Sequence, residues 1–178
     1  MPQEFFTERL AMSRFKYEDA EEIFYTYASK AQATKFVSWP THERIKDTRR
    51  YLEFVRLGWD AGIDYSYAIR LKHQRLIGSC GVVNDYGKLQ FGYILSPTHW
   101  GNGYATEVCR RLMEILRVMP EVKSIGTFID ADNLASGHVL LKSGLVVLEK
   151  RAKWYSFVNQ NNESKDCVLF KFPLPWKT

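Results

Sequence analysis

The sequence predicts an α+β fold: a central, mostly antiparallel twisted sheet of about seven strands flanked by about four helices. Three observations predict it. Short runs of alternating apolar residues read as strands, longer stretches with apolar residues at i, i+3, i+4 and i+7 read as helices, and three of the strands follow one another with no helix between them. Residues 10–15 form the first alternating run, and from position 17 onward Ala20, Ile23, Phe24 and Tyr27 share one helical face. The linker Phe36-Val37-Ser38-Trp39-Pro40 leads to a helix over 41–62, with Thr41 as its cap, Gly62 as its end, and Ile45, Leu52, Val55 and Trp59 on one side. Strands over 65–71, 76–83 and 88–95 make a meander, turned through Lys72-His73-Gln74 and Asn84-Asp85-Tyr86-Gly87. Pro97 stops the third. A helix over 103–119 carries the stripe Ala105, Cys109, Leu112, Leu116 and Met119 and ends at Pro120. A strand over 124–130, a short helix over 133–143 closed by Gly144, and strands over 145–157 and 167–172 complete the chain, the last two separated by the polar loop Asn159-Gln160-Asn161-Asn162-Glu163. The strand, helix and strand that follow Lys88 predict a right-handed parallel crossover. With no repeat and no linker-like composition break, residues 1–178 read as one domain.

Composition narrows the function classes. The 178 residues are 46% hydrophobic and 15% aromatic, enough for a substantial core and far from a disordered chain. Twenty-five Lys and Arg against 20 Asp and Glu give a formal charge of +5, which favours anionic ligands and disfavours a polycationic acceptor. The basic residues are scattered, so no nucleic-acid stripe forms. Cys80, Cys109 and Cys167 are odd in number and lack CxxC spacing, which argues against a disulfide framework or a zinc site and suits the cytoplasm. His73, His99 and His138 are isolated, so no metal is expected. The start of the sequence carries acids where a signal peptide needs bases, and no apolar run approaches the roughly 18 residues of a spanning helix, so a cytoplasmic protein without membrane association is expected.

The most informative stretch is Trp100-Gly101-Asn102-Gly103-Tyr104-Ala105-Thr106-Glu107, which joins an alternating run to an amphipathic helix. The glycines let backbone approach a ligand closely, and the first N–H groups and positive dipole end of the helix point at whatever lies there. Phosphate is the natural occupant. Two familiar phosphate motifs are excluded: Thr106 stands where the dinucleotide fingerprint needs Gly or Ala, and no Gly-Lys-Ser/Thr occurs.

This stretch, together with Gly92-Tyr93-Ile94-Leu95-Ser96-Pro97, Asp130-Ala131-Asp132-Asn133-Leu134-Ala135-Ser136 and Lys142-Ser143-Gly144-Leu145, resembles the GNAT superfamily of N-acetyltransferases, in particular its RimJ/RimL branch of ribosomal-protein N-terminal acetyltransferases. The likeness extends to 36–40 and to Leu76-Ile77-Gly78-Ser79, so it covers nearly the whole chain. It implies a sheet splayed at the parallel strand pair around 90–95 and 124–130. It further implies acetyl-CoA as cofactor with no metal, and direct acetyl transfer to a primary amine, either a protein N-terminal α-amine or a small-molecule amine. Gly101, Asn102, Gly103, Tyr104, Ala105 and Thr106 would bind the pyrophosphate through backbone N–H groups, with Trp100 at a place where the superfamily usually has Gln or Arg. Tyr93, Ile94 and Leu95 would flank the pantetheine arm, with Asn133 beside it and Ser136 near the sulfur. The implied partner is the amine acceptor, not nucleic acid or membrane, in a monomer or homodimer.

Direct transfer sets three chemical requirements. The amine must lose its proton, which is easier for an α-amino group (pKa roughly 7.7–8.0) than for lysine (roughly 10.4). The carbonyl oxygen needs a fixed donor, for which the backbones of Ile94 and Leu95 are the candidates. The leaving sulfur benefits from an acid, and Ser136 is the candidate, although Asn133 as an ordinary helix cap accounts for part of the same pattern. No base stands out: Gln90 occupies the place where many relatives carry Glu, and Glu107 is explained by the helix dipole. His42 and Glu43 either orient the amine or simply start a solvated helix, and Trp39 and Tyr93 either wall the acceptor end or belong to the core. Gly137 marks either close coenzyme approach or nothing. The absent base supports an alternative reading, a catalytically weak acyl-CoA-binding or sensing module. The acceptor would be chosen by the loops at 36–43 and 159–163.

Overall fold

In the computed structural model, which describes residues 1–72 and 75–174, the alternating runs pair into one eight-stranded sheet of order β1-β2-β3-β4-β5-β6-β8-β7. The strands are β1 (Glu4–Phe6), β2 (Leu10–Arg14), β3 (Asp64–Leu71), β4 (Leu76–Asp85), β5 (Lys88–Leu95), β6 (Ser124–Asp130), β7 (Val146–Ser156) and β8 (Ser164–Lys171). All neighbours are antiparallel except β5 and β6, the parallel pair that the crossover predicted. The helices are α1 (Ala20–Ile23), which continues into a π-helical turn Phe24–Ala28, then α2 (Ala31–Thr34), α3 (Ile45–Ala61), α4 (Tyr104–Leu116) and α5 (Leu134–Lys142). Of the expected turn at 72–74, His73 and Gln74 lie outside the described residues.

The structure adds one strand and one helix to the sequence reading, both short. In β1 only Phe5 is buried, and α2 is a single turn, so neither shows a period in sequence. Thr41 does not cap α3, which starts at Ile45. The first-turn Asp47 accepts from the Arg44 N–H (2.9 Å), while the Thr41 hydroxyl and N–H face Asn159.

Helices cover both faces of the sheet. On one, Val108, Cys109, Leu112 and Leu116 of α4 join the core that contains Tyr67, Ile77, Val82 and Phe91. On the other, Ala20 and Ile23 of α1, Tyr27 and Leu52 pack on Ala68, Leu76 and Ile94. The parallel pairing is brief: Lys88 meets Ser124, Leu89 meets Ile125 and Gln90 meets Gly126. Beyond this β5 stays with β4 as far as Leu95, and β6 stays with β8 through Asp130, so the two halves of the sheet part.

One close approach fixes α3 against the sheet. At Gly58 an added Cβ would lie 2.7 Å from the Asp64 Cβ. Helix propensity alone makes Gly58→Ala stabilising by about 1 kcal/mol, whereas overpacking costs about 1–3 kcal/mol. The close approach should dominate, and the urea midpoint of Gly58→Ala is expected to fall by the equivalent of about 1 kcal/mol; a rise would show that α3 can move away from β3.

Candidate active site

A cavity of about 970 Å³ opens where β5 and β6 part, and every part of the predicted site borders it or lies close by. At one end is the glycine loop. Gly101 and Gly103 both have φ of 78°, in the left-handed region that favours glycine. Gly103 is the N-cap of α4 and supplies no side-chain acceptor, so the N–H groups of Tyr104, Ala105 and Thr106 have no side-chain cap. Around Gly101 a Cβ would meet nothing within 4 Å, so the approach to the loop is open. Gly101, Gly103, Tyr104, Ala105 and Thr106 line the cavity, as does Lys142, whose carbonyl accepts from Arg110 of α4. Asn102 is turned away: its Nδ2 donates to the carbonyls of His99 (3.2 Å) and Trp100 (3.0 Å), so it shapes the loop. The Trp100 indole donates to the Leu95 carbonyl (2.9 Å), pinning the loop to the end of β5.

Arg9, which the sequence reading missed, organises the same loop from just before β2. It donates through its backbone N–H (3.0 Å) and Nε (2.7 Å) to Glu107 and through Nη1 to the Asn102 carbonyl (3.0 Å), and it stacks on the Tyr104 ring. Glu107 is therefore committed to structure. Although burial alone would raise its pKa, hydrogen bonds from Thr7 and Arg9 hold it below the usual glutamate value.

Midway along the cavity the Tyr93 hydroxyl donates to Ser136 Oγ (3.1 Å), while the Ser136 N–H donates to Asn133 Oδ1 (3.2 Å). Asn133 is thus the N-cap of α5, and the Ser136 hydroxyl is left facing Tyr93. Burial pushes the Tyr93 pKa up, so this phenol stays protonated and can support a proton donor. Burial also raises Cys80 far above the thiol range and Cys109 to about 12, so neither offers a thiolate nucleophile. The Ile94 carbonyl lies against Gly78 on the β4 side. Because backbone polar groups alternate sides along a strand, those of Tyr93 and Leu95 face the gap, and the expected Ile94 donor is directed at β4 instead. The Ile94 side chain still lines the cavity. Gly137 faces Ile129 of β6, 3.4 Å from where a Cβ would stand.

At the far end Trp39 stacks on Tyr51 with ring centroids 6.2 Å apart, and both line the cavity. His42, expected at the acceptor wall, is instead buried behind Trp39, 5.1 Å away between ring centroids. Its Nδ1 shares a hydrogen with the Thr48 hydroxyl (2.8 Å), and burial lowers its pKa against the opposing pull of Asp47, which leaves a neutral, structural imidazole. The two loops expected to choose the acceptor are stitched together by Asn159, whose Nδ2 donates to the carbonyls of Thr34 (2.7 Å) and Trp39 (2.8 Å). Asp64, Ser66 and Gln90 also line this end. Asp64 and Ser66 carried no sequence signal beyond their place at the start of a strand.

The family of acetyltransferase (GNAT) domains matches residues 9–146; the chain belongs to that family and is an acetyltransferase. It is 25% identical to the uncharacterised N-acetyltransferase YoaA of Bacillus subtilis, over 95% of this chain and 96% of the relative. Its fold is similar to that of the microcin C7 self-immunity acetyltransferase MccE, solved with acetyl-CoA and AMP (TM-score 0.84, 18% identity, 93% of this chain and 92% of that one). It is similar in the same way to RimL, a ribosomal L7/L12 α-N-protein acetyltransferase solved with coenzyme A (TM-score 0.83, 14% identity, 93% and 94%). No helix among the described residues is long and apolar enough to cross a membrane.

The Glu107 pairing makes a pH prediction. Its folded pKa lies below 4.5, so the pairing stabilises above that value and is lost as pH falls through the folded value. Glu107→Gln should be less stable than the parent near neutral pH and equal to it once the carboxyl is protonated. Urea midpoints across that range check this, and a pH-independent difference would contradict it.

Proposed function

We propose that this enzyme moves the acetyl group of acetyl-CoA directly to a primary amine. The observation that carries the reading is the continuity of one cavity from the uncapped start of α4, along the free edge of β5, to the aromatic end at Trp39. The residues fit the cofactor: N–H groups of 101–106 for the pyrophosphate, the gap-facing backbone of Tyr93 and Leu95 for the pantetheine amides, and Asn133 and Ser136 beside them. When bound, acetyl-CoA supplies an activated thioester. The gap-facing N–H groups of β5 are donors for the carbonyl oxygen as it gains charge. The Ser136 hydroxyl, supported by Tyr93, would be placed to donate a proton to the departing sulfur and to be reprotonated by the proton that the attacking nitrogen loses. Gln90 cannot accept a proton, so the acceptor must arrive or become neutral by other means.

Gln90 is also what a non-catalytic acyl-CoA-binding module would show. A panel of primary amines offered with acetyl-CoA and read by mass separates the two, since a transferase gives a product 42 mass units heavier with release of free thiol, and a binding module gives neither. In the same assay Ser136→Ala should lower kcat by about tenfold or more while leaving acetyl-CoA affinity nearly unchanged; unchanged turnover would remove the hydroxyl from the chemistry.

A further inference from the structure

The acceptor end of the cavity holds a polar cluster that the chemistry above leaves unused. Register places Asp64 opposite Val83 and Val83 opposite Gln90, so the three form one row on one face of the sheet. The next row is Ser66, Gly81 and Gly92, whose two glycines leave a bare backbone floor between β3 and the reacting strand. At Gly92 a Cβ would meet nothing within 4 Å, and at Gly81 it would come within 2.8 Å of Ser66 Oγ. The Ser66 hydroxyl donates to Asp64 Oδ1 (2.7 Å), and the Tyr51 ring borders the same space. Asp64 is the one carboxylate among the described residues that line the cavity, and among them no cation forms an ion pair with it. Lys142 and the start of α4 lie at the opposite end. The cavity is therefore positive where a phosphate would sit and negative where an acceptor would enter.

Resting on the transferase reading, we infer that Asp64, with Ser66 and Tyr51, holds a second cationic group of the acceptor, so that the substrate class is an amine carrying another ammonium or guanidinium. Two strand spacings separate Asp64 from Gln90, about 9.5 Å along the sheet. That distance is too long for Asp64 to take the proton of an amine at β5, and it suits an anchor for the far end of a diamine or of a basic peptide N-terminus. The scattered surface charges behind the net +5 are screened within about 8–10 Å, whereas a half-buried carboxylate acts locally. The local charge reverses the expectation that a positive protein avoids polycationic acceptors.

The full chain saturated with coenzyme A is titrated with 1,5-diaminopentane, pentylamine and 5-aminopentanoate, with binding followed by tryptophan fluorescence, since Trp39 lines the site. The diamine should bind about tenfold or more tighter than pentylamine, and the carboxylate-bearing amine weakest. Asp64→Asn should abolish the preference without changing coenzyme affinity, which reports an intact fold, and Ser66→Ala should reduce it. Equal affinity for the three ligands, no binding of the diamine, or a preference that survives Asp64→Asn would each overturn the inference. Acetyl transfer without any preference would sink the anchor and leave the transferase standing; a preference without transfer to any amine would do the reverse.

Discussion

The early parting of β5 and β6 is the constraint on which the site depends. Three residue pairs hold the parallel strands together, and each strand then follows its antiparallel partner, β4 or β8. Backbone groups on the facing edges are left without a strand partner, which a buried sheet does not tolerate unless something else fills the place. The chain fills one of them itself, through the Trp100 indole on the Leu95 carbonyl. The rest face a cavity whose shape suits an extended ligand with its own amides. Because α4 is the crossover between these two strands, its N-terminus necessarily opens at the end of the same gap.

A helix start is usually capped by a side chain, and an acid in the first turn is usually welcome to the dipole. Both habits would spoil an anion site. Here the cap is Gly103, which has no side chain to offer, and the first-turn acid Glu107 is drawn aside by three donors of Arg9. An ion pair as exposed as this contributes little to stability by itself. Its more consequential effect is to neutralise a charge that would otherwise repel a phosphate at the same turn, while the Arg9 contact to the Asn102 carbonyl holds the loop in place.

What was legible in the sequence was whatever is local. The glycine loop, the α4 stripe, the Asn133 cap and the meander are all specified by residues within one or two turns of each other, and the structure has them there, except that α4 stops at Leu116 and leaves Met119 and the expected end at Pro120 outside the helix. What was hidden is assembled across the sheet. Arg9 reaches Glu107 over 98 positions, Tyr93 reaches Ser136 over 43, and Asn159 ties Trp39 over 120. His42, just after Trp39-Pro40, was expected to orient the amine, yet the packing of Trp39 and Tyr51 seals it in. Asp64 looked like a strand boundary, and only the register of three strands shows that it shares a face with Gln90.

Gln90 puts no carboxylate beside the reacting strand, and Asp64 puts one about two strand spacings away, too far to serve as its base. An ammonium taken from water into a space walled by Trp39 and Tyr51 loses solvation, which lowers its pKa and favours the neutral nucleophile. In the proposed anchor, Asp64 with Ser66 would neutralise the distal charge, so desolvation alone disfavours a proton on the reacting nitrogen. On this account the protein needs no strong base beside the thioester. A proton leaving the reacting nitrogen can pass to solvent before chemistry begins.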